Sequence, residues 1–512
     1  MPHTGPWWQT SVLYQVYPRS FLDTDGDGIG DLAGLRSRLP YLRWLGVDGV
    51  WLSPIYRSPM ADFGYDVSDH CAIDPVFGDL DDFDALLGEA HGQGLRVLLD
   101  WVPNHTSDRH PWFVESRSDR RSPKRDWYFW RDGGADGRPP NNWKAAFGGR
   151  AWTWDDRTGQ WYLHLFLPHQ PDLNWGHAGV VEAMHDVLRF WLDRGVDGFR
   201  ADVVHLIGKD GRLPDQPPEL AEIDLGGVHD HPAAHPLLRA IRGGRDSSPG
   251  DRAMGGEVNL GSAGQLAPYY GADDELHLVF NFSLLWAPWD PARWAARIVE
   301  SEEALNPSGA WPVWVLSNHD TPRHRDRHGG SEDRARVAAT VLLTLRGTPF
   351  LYAGEELGLG DAEVPDDRRV DPGGRDGCRA PIPWDASPGH GWPAEPWLPW
   401  PRGTGTQDAA TLTNEPGSIL HLYRRLLAAR RASSALHAGA WQLVDAPGGV
   451  LAYERRAGPD RRQVWANFGD GDVVCAPTGD WVVDVGTLRH REGDTWDGRL
   501  AGAEAMVLRP VG

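Results

Sequence analysis

Short runs of apolar, β-branched and aromatic residues recur along the chain, each followed by polar residues and most of them then by a helical pattern. The runs are VLYQVYP (12–18), VDGVWLSPI (47–55), LRVLLDWV (95–102), VDGFRADVV (196–204), AMGGEV (253–258), LHLVFNF (276–282), WPVWVLSNHD (311–320) and TPFLYAG (348–354). Between them, segments such as LAGLRSRLPYLRWLG, LDDFDALLGEAHGQG and VEAMHDVLRFWLDRG carry helical spacing. Eight strands alternating with helices predict a closed (β/α)8 barrel. A doubly wound sheet is the competing α/β architecture, but no GxGxxG follows the first strand.

Two stretches break the alternation. Residues 105–168, after the third strand, are rich in Trp, Arg, Gly and Asp with little helical period, which predicts an inserted subdomain over one barrel end. Residues 355–412 form a second Pro/Gly/Asp-rich excursion after strand eight. Beyond the helix-like SILHLYRRLLAARRASSAL (418–436), the pattern shortens into WQLVDA, GVLAYERRA, QVWANFG, DVVCAP and AMVLRP. The expected division is a barrel over 1–104 and 169–432, an inserted subdomain over 105–168, and a C-terminal antiparallel β-sandwich domain over 433–512.

A chain of 512 residues, 40% hydrophobic and 24% charged, is long enough for several buried cores. Its net charge of −21 argues against nucleic acid or an anionic membrane as partner. Cys71, Cys378 and Cys475 are too few and too scattered for a disulfide framework or a CxxC metal pair. MPHTGPWWQT has no basic or apolar leader pattern, and no stretch approaches the roughly 20 apolar residues of a membrane span. A cytoplasmic enzyme is expected, with the oligomeric state, monomer or homodimer, left open. The 27 tryptophans, many beside Asp, Glu, Asn or His, suit a sugar, whose C–H faces stack while its hydroxyls hydrogen-bond.

In a barrel, the polar residues at strand C-termini are the reactive ones. DWVPNH ends strand three with Asp100, Asn104 and His105; GFRADVVH ends strand four with Arg200 and Asp202 on one face; GGEV ends strand five with Glu257; SNHD ends strand seven with His319 and Asp320. Acids from separate strands converging on one mouth suit glycosidic bond cleavage, which needs one protonated and one ionised carboxyl group. Asp202, beside Arg200, is the better nucleophile, and Glu257, with no basic neighbour in sequence, the better acid.

These four segments, in this order, resemble the signature regions of the α-amylase family of retaining glycoside hydrolases, and the resemblance covers essentially the whole chain. QPDLNW (170–175), GYDVSDH (64–70), the insertion and the terminal β domain are similar to its α-glucosidase and oligo-1,6-glucosidase branch. The resemblance implies Asp202 as nucleophile, Glu257 as general acid/base and Asp320 as transition-state stabiliser. It implies His105 and His319 as sugar ligands, Arg200 as support for the nucleophile, and Tyr65 as a stacking face. Asp66 with Arg379, or with Arg375 in its place, would clamp the far side of a terminal glucose and restrict the enzyme to exo attack. Phe166 lines the same pocket or packs in the core. The Lys–His pair that polysaccharide-cutting relatives carry after the nucleophile is here His205 and Leu206, which favours short substrates. Val203 resembles the residue of α-1,6-cleaving members, although one side chain is worth only about 1–3 kcal/mol of specificity. The implied activity is that of an exo-acting retaining α-glucosidase on short α-1,4 or α-1,6 gluco-oligosaccharides, with transglucosylation. Oligo-1,6-glucosidase, sucrose hydrolase and dedicated α-glucosyltransferase are alternatives. A catalytically inactive interaction protein would have lost the acids and gained a membrane anchor, and this chain shows neither.

DTDGDGIGD (23–31) opens like an EF-hand loop, but its twelfth position is Gly34 instead of the closing Glu. The resemblance implies a structural calcium ion instead, held by Asp23, Asp25, Asp27 and Asp31 with the Ile29 carbonyl.

Overall fold

The structure, a computed structural model, describes residues 5–134, 137–220, 225, 229–246 and 250–511; the first four residues of MPHTGPWWQT and residue 512 lie outside the described residues. Each of the eight apolar runs folds into one parallel strand: β1 (Leu13–Val16), β2 (Gly49–Leu52), β3 (Arg96–Trp101), β4 (Gly198–Ala201), β5 (Ala253–Gly256), β6 (Leu278–Asn281), β7 (Pro312–Val315) and β8 (Thr348–Tyr352). They close into a barrel in sequence order, with Leu13 of β1 opposite both Gly49 of β2 and Phe350 of β8. Closure leaves no strand edge unpaired.

The inward rows of the strands fill the barrel with Leu13, Trp51, Leu98, Leu278, Phe280, Val313, Val315 and Phe350. Two residues further along the same rows the filling becomes polar: Gln15 follows Leu13, Asp100 follows Leu98, and Arg200 follows Gly198. The strand period of two keeps these side chains inside, so the apolar plug ends in a polar floor at the C-terminal mouth.

Long helices cover the barrel: α1 (Leu80–Gly92), α2 (Ala178–Arg194), α3 (Ala234–Asp246), α4 (Pro291–Leu305), α5 (Glu332–Thr344) and α6 (Ile419–Ala432). Helix α1 begins with a reciprocal cap between Asp79 and Asp82, which satisfies two of its orphan N–H groups. The LAGLRSRLPYLRWLG segment forms two short helices, Leu32–Ser37 and Leu39–Leu45, because Pro40 has no N–H to continue the ladder.

The insertion contains a three-stranded antiparallel sheet of Trp130–Arg131, Gln160–Leu163 and Trp152–Asp155. Residues 169–173 pair back onto 104–108, through Leu173 N–H to Asn104 O at 2.9 Å and Asp108 N–H to His169 O at 2.8 Å. Lys209, beyond β4, reaches into this segment and meets Asp172 at 2.9 Å, with both side chains buried.

The C-terminal region is a five-stranded antiparallel sheet of β9 (Ala440–Leu443), β10 (Val450–Ala457), β11 (Asp460–Asn467), β12 (Trp481–Gly486) and β13 (Ala505–Pro510), ordered β9-β10-β11-β13-β12. A two-stranded sheet, Val473–Val474 with Arg499–Leu500, accompanies it. Alternation along β10 sends Leu451 and Tyr453 into the barrel-side core and Val450 and Ala452 into a second core with Trp465, Trp496 and Leu500. Strand β12 was not anticipated from the sequence: its WVVDVG lacks strict alternation and its register shifts between Val483 and Val485. Among the described residues, no helix is long and apolar enough to cross a membrane.

Candidate active site

At the barrel mouth a single guanidinium organises three acids. Arg200 Nη1 donates to Asp100 Oδ1 and to Asp202 Oδ1, both at 2.7 Å, while its Nη2 donates to Glu257 Oε2. Arg200 lies against the face of Trp51, and Trp51 Nε1–H also donates to Asp100 at 3.2 Å. One guanidinium can offset only one of the negative charges these acids can carry in a site shielded from water. Burial pushes Asp100 up to about 6 against the opposing pull of Arg200. Burial also raises Asp202 well above the usual carboxylate range; Arg200 opposes this, and Glu257, Asp100 and Asp320 reinforce it.

A second chain of hydrogen bonds fixes His319. The Gln15 amide lies 2.8 Å from His319 Nδ1, which therefore accepts, leaving Nε2 protonated and 2.5 Å from the Tyr65 hydroxyl. Tyr65 in turn donates to Asp100 at 3.1 Å, and its ring stacks on the imidazole at 5.4 Å. Burial lowers His319 to about 3 and His105 to about 4, so both rings are neutral hydrogen-bonding groups at ordinary pH. His105 sits between the Tyr65 carbonyl at 3.2 Å and the Gln170 amide at 3.1 Å, with the Phe166 ring 5.1 Å away.

Asp202, Glu257 and Asp320 line a cavity of about 330 Å³ together with Tyr65, His105, Phe166 and Val203. Its wall also includes an ion pair from distant parts of the chain: Arg375 Nη2 donates to Asp62 Oδ1 at 2.6 Å, and Arg375 Nη1 to Asp320 Oδ1 at 2.9 Å. Asp371 Oδ1 accepts from Arg375 at 2.7 Å and from Arg379 at 3.0 Å and so bridges the two guanidiniums with a shared counter-charge. Burial works against the Asp320 carboxylate, but His319, Arg375 and Arg379 more than offset it and hold Asp320 well below the usual range.

The alpha-amylase catalytic-domain family matches residues 15–439, which contain every one of these side chains. The chain belongs to the α-amylase family. A probable alpha-glucosidase of Rhizobium meliloti (strain 1021) is 42% identical to it over 91% of this chain and 90% of the relative. An oligo-1,6-glucosidase of Heyndrickxia coagulans is 37% identical over 94% and 95%. Among solved structures, an alpha-glucosyl transfer enzyme superposes with a TM-score of 0.92 at 40% identity, covering 99% of this chain and 100% of the other.

Within this α-amylase-family barrel the expected clamp needs correcting. Asp66 does not face the cavity: it is fully buried, and its carboxylate accepts from Ser58 Oγ at 2.8 Å and from the Ala61 and Asp62 N–H groups at 2.9 Å. Arg379 is also fully buried; its Nε–H donates to the His319 carbonyl at 2.8 Å and its Nη2 to Asp320 at 3.2 Å. The ion pair that faces the cavity is Asp62–Arg375. Asp66 shapes the turn that carries Asp62, and Arg379 supports Asp320 from below. Sequence reasoning missed Asp62, Asp371 and Gln15; the only local signal was the spacing of Asp371 four residues before Arg375.

Val203, the residue after Asp202, adopts φ +35° and ψ +40°. A β-branched residue is costly in this region, by about 1–3 kcal/mol. The turn directs the Val203 side chain into the cavity and its N–H toward Glu257 at 3.4 Å.

The acidic loop follows β1. Asp23, Asp25 and Asp27 bring one carboxylate oxygen each within 4.8 Å of one another. Backbone N–H groups pre-form the arrangement: Asp23 accepts from Gly26 at 2.7 Å and Gly28 at 3.0 Å, and Asp27 from Ile29 at 2.7 Å. Gly28 has φ +82°, and a Cβ there would meet the Glu395 carbonyl oxygen at 2.3 Å. Burial and the neighbouring carboxylates raise Asp27. The structure does not bring Asp31 into this trio. Its oxygens accept from Thr24 N–H at 2.8 Å and Gly34 N–H at 2.6 Å, the latter as N-cap of the Leu32–Ser37 helix.

Proposed function

We propose that the protein is an exo-acting retaining α-glucosidase that releases α-glucose from the non-reducing end of short α-1,4- and α-1,6-linked gluco-oligosaccharides, with transglucosylation as a companion reaction. The observation that carries this is the Asp62–Arg375 ion pair in the wall of the cavity that holds the three acids. The Asp62–Arg375 pair is set into the cavity wall beside Asp320, and in this reading it blocks any sugar beyond a single terminal glucose. The named activities of the relatives, alpha-glucosidase, oligo-1,6-glucosidase and alpha-glucosyl transfer, agree with it.

In this reading Glu257 gives its proton to the glycosidic oxygen while Asp202 attacks the anomeric carbon, breaking the C–O bond and forming a β-glucosyl ester. Glu257, now ionised, takes a proton from water or from an acceptor hydroxyl, which displaces Asp202 and restores the α configuration. Two carboxylates on adjacent nitrogens of one guanidinium suit the short spacing, about 5 Å, of a retaining pair. Asp320, His105 and His319 bond glucose hydroxyls, with bonds from Asp320 strengthening as the ring becomes cationic. Tyr65 and Phe166 offer ring faces, and Val203 borders the leaving group. Asp202→Asn and Glu257→Gln are each expected to abolish release from p-nitrophenyl α-glucoside while circular dichroism stays unchanged; full activity in either refutes the assignment. Proton NMR of early hydrolysis is expected to show the α anomer first, and a β product refutes retention.

The Asp23–Asp25–Asp27 oxygens fit a hard divalent cation, and calcium is the ion proposed, with the Ile29 carbonyl as a further ligand. Bound there, it would neutralise local repulsion and pin the loop after β1. The location belonging to this reading is cytoplasmic, in keeping with three free cysteines, two of them buried.

A further inference from the structure

The turn that carries Asp62 is strained on both sides of that residue. It lies on the loop after β2, between the short antiparallel strands Tyr56–Arg57 and Asp69–Ile73. Met60 has φ +64° and Phe63 φ +45°, a left-handed region that is unfavourable for any residue with a Cβ and most so for a bulky one. Such strain persists only where surrounding contacts over-determine it. Within the turn, Asp66 accepts from the Ala61 and Asp62 N–H groups, and the Tyr65 N–H donates to the Asp62 carbonyl at 3.1 Å. From outside the turn, Arg19 and Trp397 hold the Phe63 ring. The buried Arg19 guanidinium lies 5.4 Å from the centre of that ring and 4.9 Å from that of Trp397, and the two rings are 5.2 Å apart. Arg19 Nη1 also lies 3.8 Å from Met60 Sδ, so one side chain touches both strained residues. Trp397 is fixed in turn, through its N–H to the Gly28 carbonyl at 3.0 Å and its indole N–H to Ser20 Oγ at 3.1 Å. Arg19, Phe63 and Trp397 do not line the cavity, whereas Asp62 does, meeting Arg375 there and accepting from the Gln170 amide at 2.9 Å.

We infer that Phe63 is a positioning residue for Asp62, with Arg19 and Trp397 as the anchor that keeps it in the left-handed conformation. Released from the anchor, a residue with a Cβ at this position returns to negative φ. The peptide between Asp62 and its neighbour then swings, and the Asp62 carboxylate leaves Arg375. This rests on the exo-glucosidase reading above, in which Asp62 and Arg375 meet the terminal glucose. The apparent affinity for that glucose is then the intrinsic affinity scaled by the fraction of molecules whose turn is in this conformation. Three side chains from distant stretches, all outside the cavity, set that fraction. Because they act on the turn and not on the acids, they govern KM more than kcat.

The test is the competitive inhibition constant of glucose against p-nitrophenyl α-glucoside, measured with KM, kcat and melting temperature. Phe63→Ala removes the ring and keeps the left-handed penalty, whereas Phe63→Asn removes the same ring but adopts left-handed backbone readily. Phe63→Ala is expected to raise the glucose constant and KM about fivefold to tenfold, with kcat within about threefold of the parent. Phe63→Asn is expected to keep both within about twofold of the parent. Trp397→Ala should raise the glucose constant by a similar factor in the parent and leave it unchanged in Phe63→Asn, where no strain needs holding. If circular dichroism shows Phe63→Ala unfolded, the two Trp397→Ala measurements decide by themselves. A ring that served only as packing would make the Ala and Asn variants alike. Equal effects of the two, no effect of either, or a larger effect of Asn overturns the inference while the proposed function stands. If the unmodified enzyme neither cleaves an α-glucoside nor binds glucose, the proposed function itself fails and takes this inference with it.

Discussion

At the scale of single residues, two aspartates four positions apart divide the labour. Asp62 meets Arg375 across 313 residues of chain, whereas Asp66 is spent on three local donors. Asp62→Asn should lower kcat/KM on p-nitrophenyl α-glucoside about a hundredfold, as expected for a misplaced glucose, with little change in melting temperature. Asp66→Asn should do the reverse, losing thermal stability because two of its donors are backbone N–H groups, with activity falling less than about tenfold. Parallel kinetics and melting curves decide it, and an inverted pattern returns the clamp to Asp66. The sequence did not separate these residues, since GYDVSDH advertises Asp66 beside Tyr65 while the partner of Asp62 is visible only in three dimensions. Arg200, Asp202 and Glu257 were legible because strand ends in a barrel all open on one mouth, so a local pattern fixes a global position.

At the scale of elements, the barrel strands were found because apolar, β-rich runs mark them. The caps and turns were harder. Asp31 stands in a cluster of like residues, and only the helix at Leu32–Ser37 distinguishes a cap from a ligand. This yields a paired prediction. Chelation should lower the melting temperature more than it lowers turnover at moderate temperature, and Asp25→Ala should remove the response to added calcium. Asp31→Ala should cost about 1 kcal/mol as a lost N-cap while the calcium response of the melting temperature survives. Loss of that response in Asp31→Ala would restore it as a ligand. Reversible switching of activity by chelator, at constant stability, would instead make the loop a sensor.

At the scale of the whole molecule, one of only three lysines ties the loop after β4 to the two segments that lead into and out of the insertion. In composition the scarcity of lysine carried no functional message; in the structure Lys209 is buried against Asp172 and also donates to Asn104 at 2.8 Å. Removing one partner strands a buried charge. Lys209→Ala should therefore cost about 3–5 kcal/mol in chemical denaturation, and adding Asp172→Asn should recover a large part of it. Additive losses in the double variant would show that the pair is not coupled.

The block assigned to Asp62 and Arg375 also governs traffic. In the proposed exo reading, substrate, aglycone, water and glucose all pass through the mouth that faces Glu257, in succession. No chain can thread through and be trimmed repeatedly in one encounter. Early samples from maltotetraose should therefore contain maltotriose and glucose without maltose, which appears only after maltotriose accumulates. Maltose present from the first turnovers would mean that the cavity has a second exit.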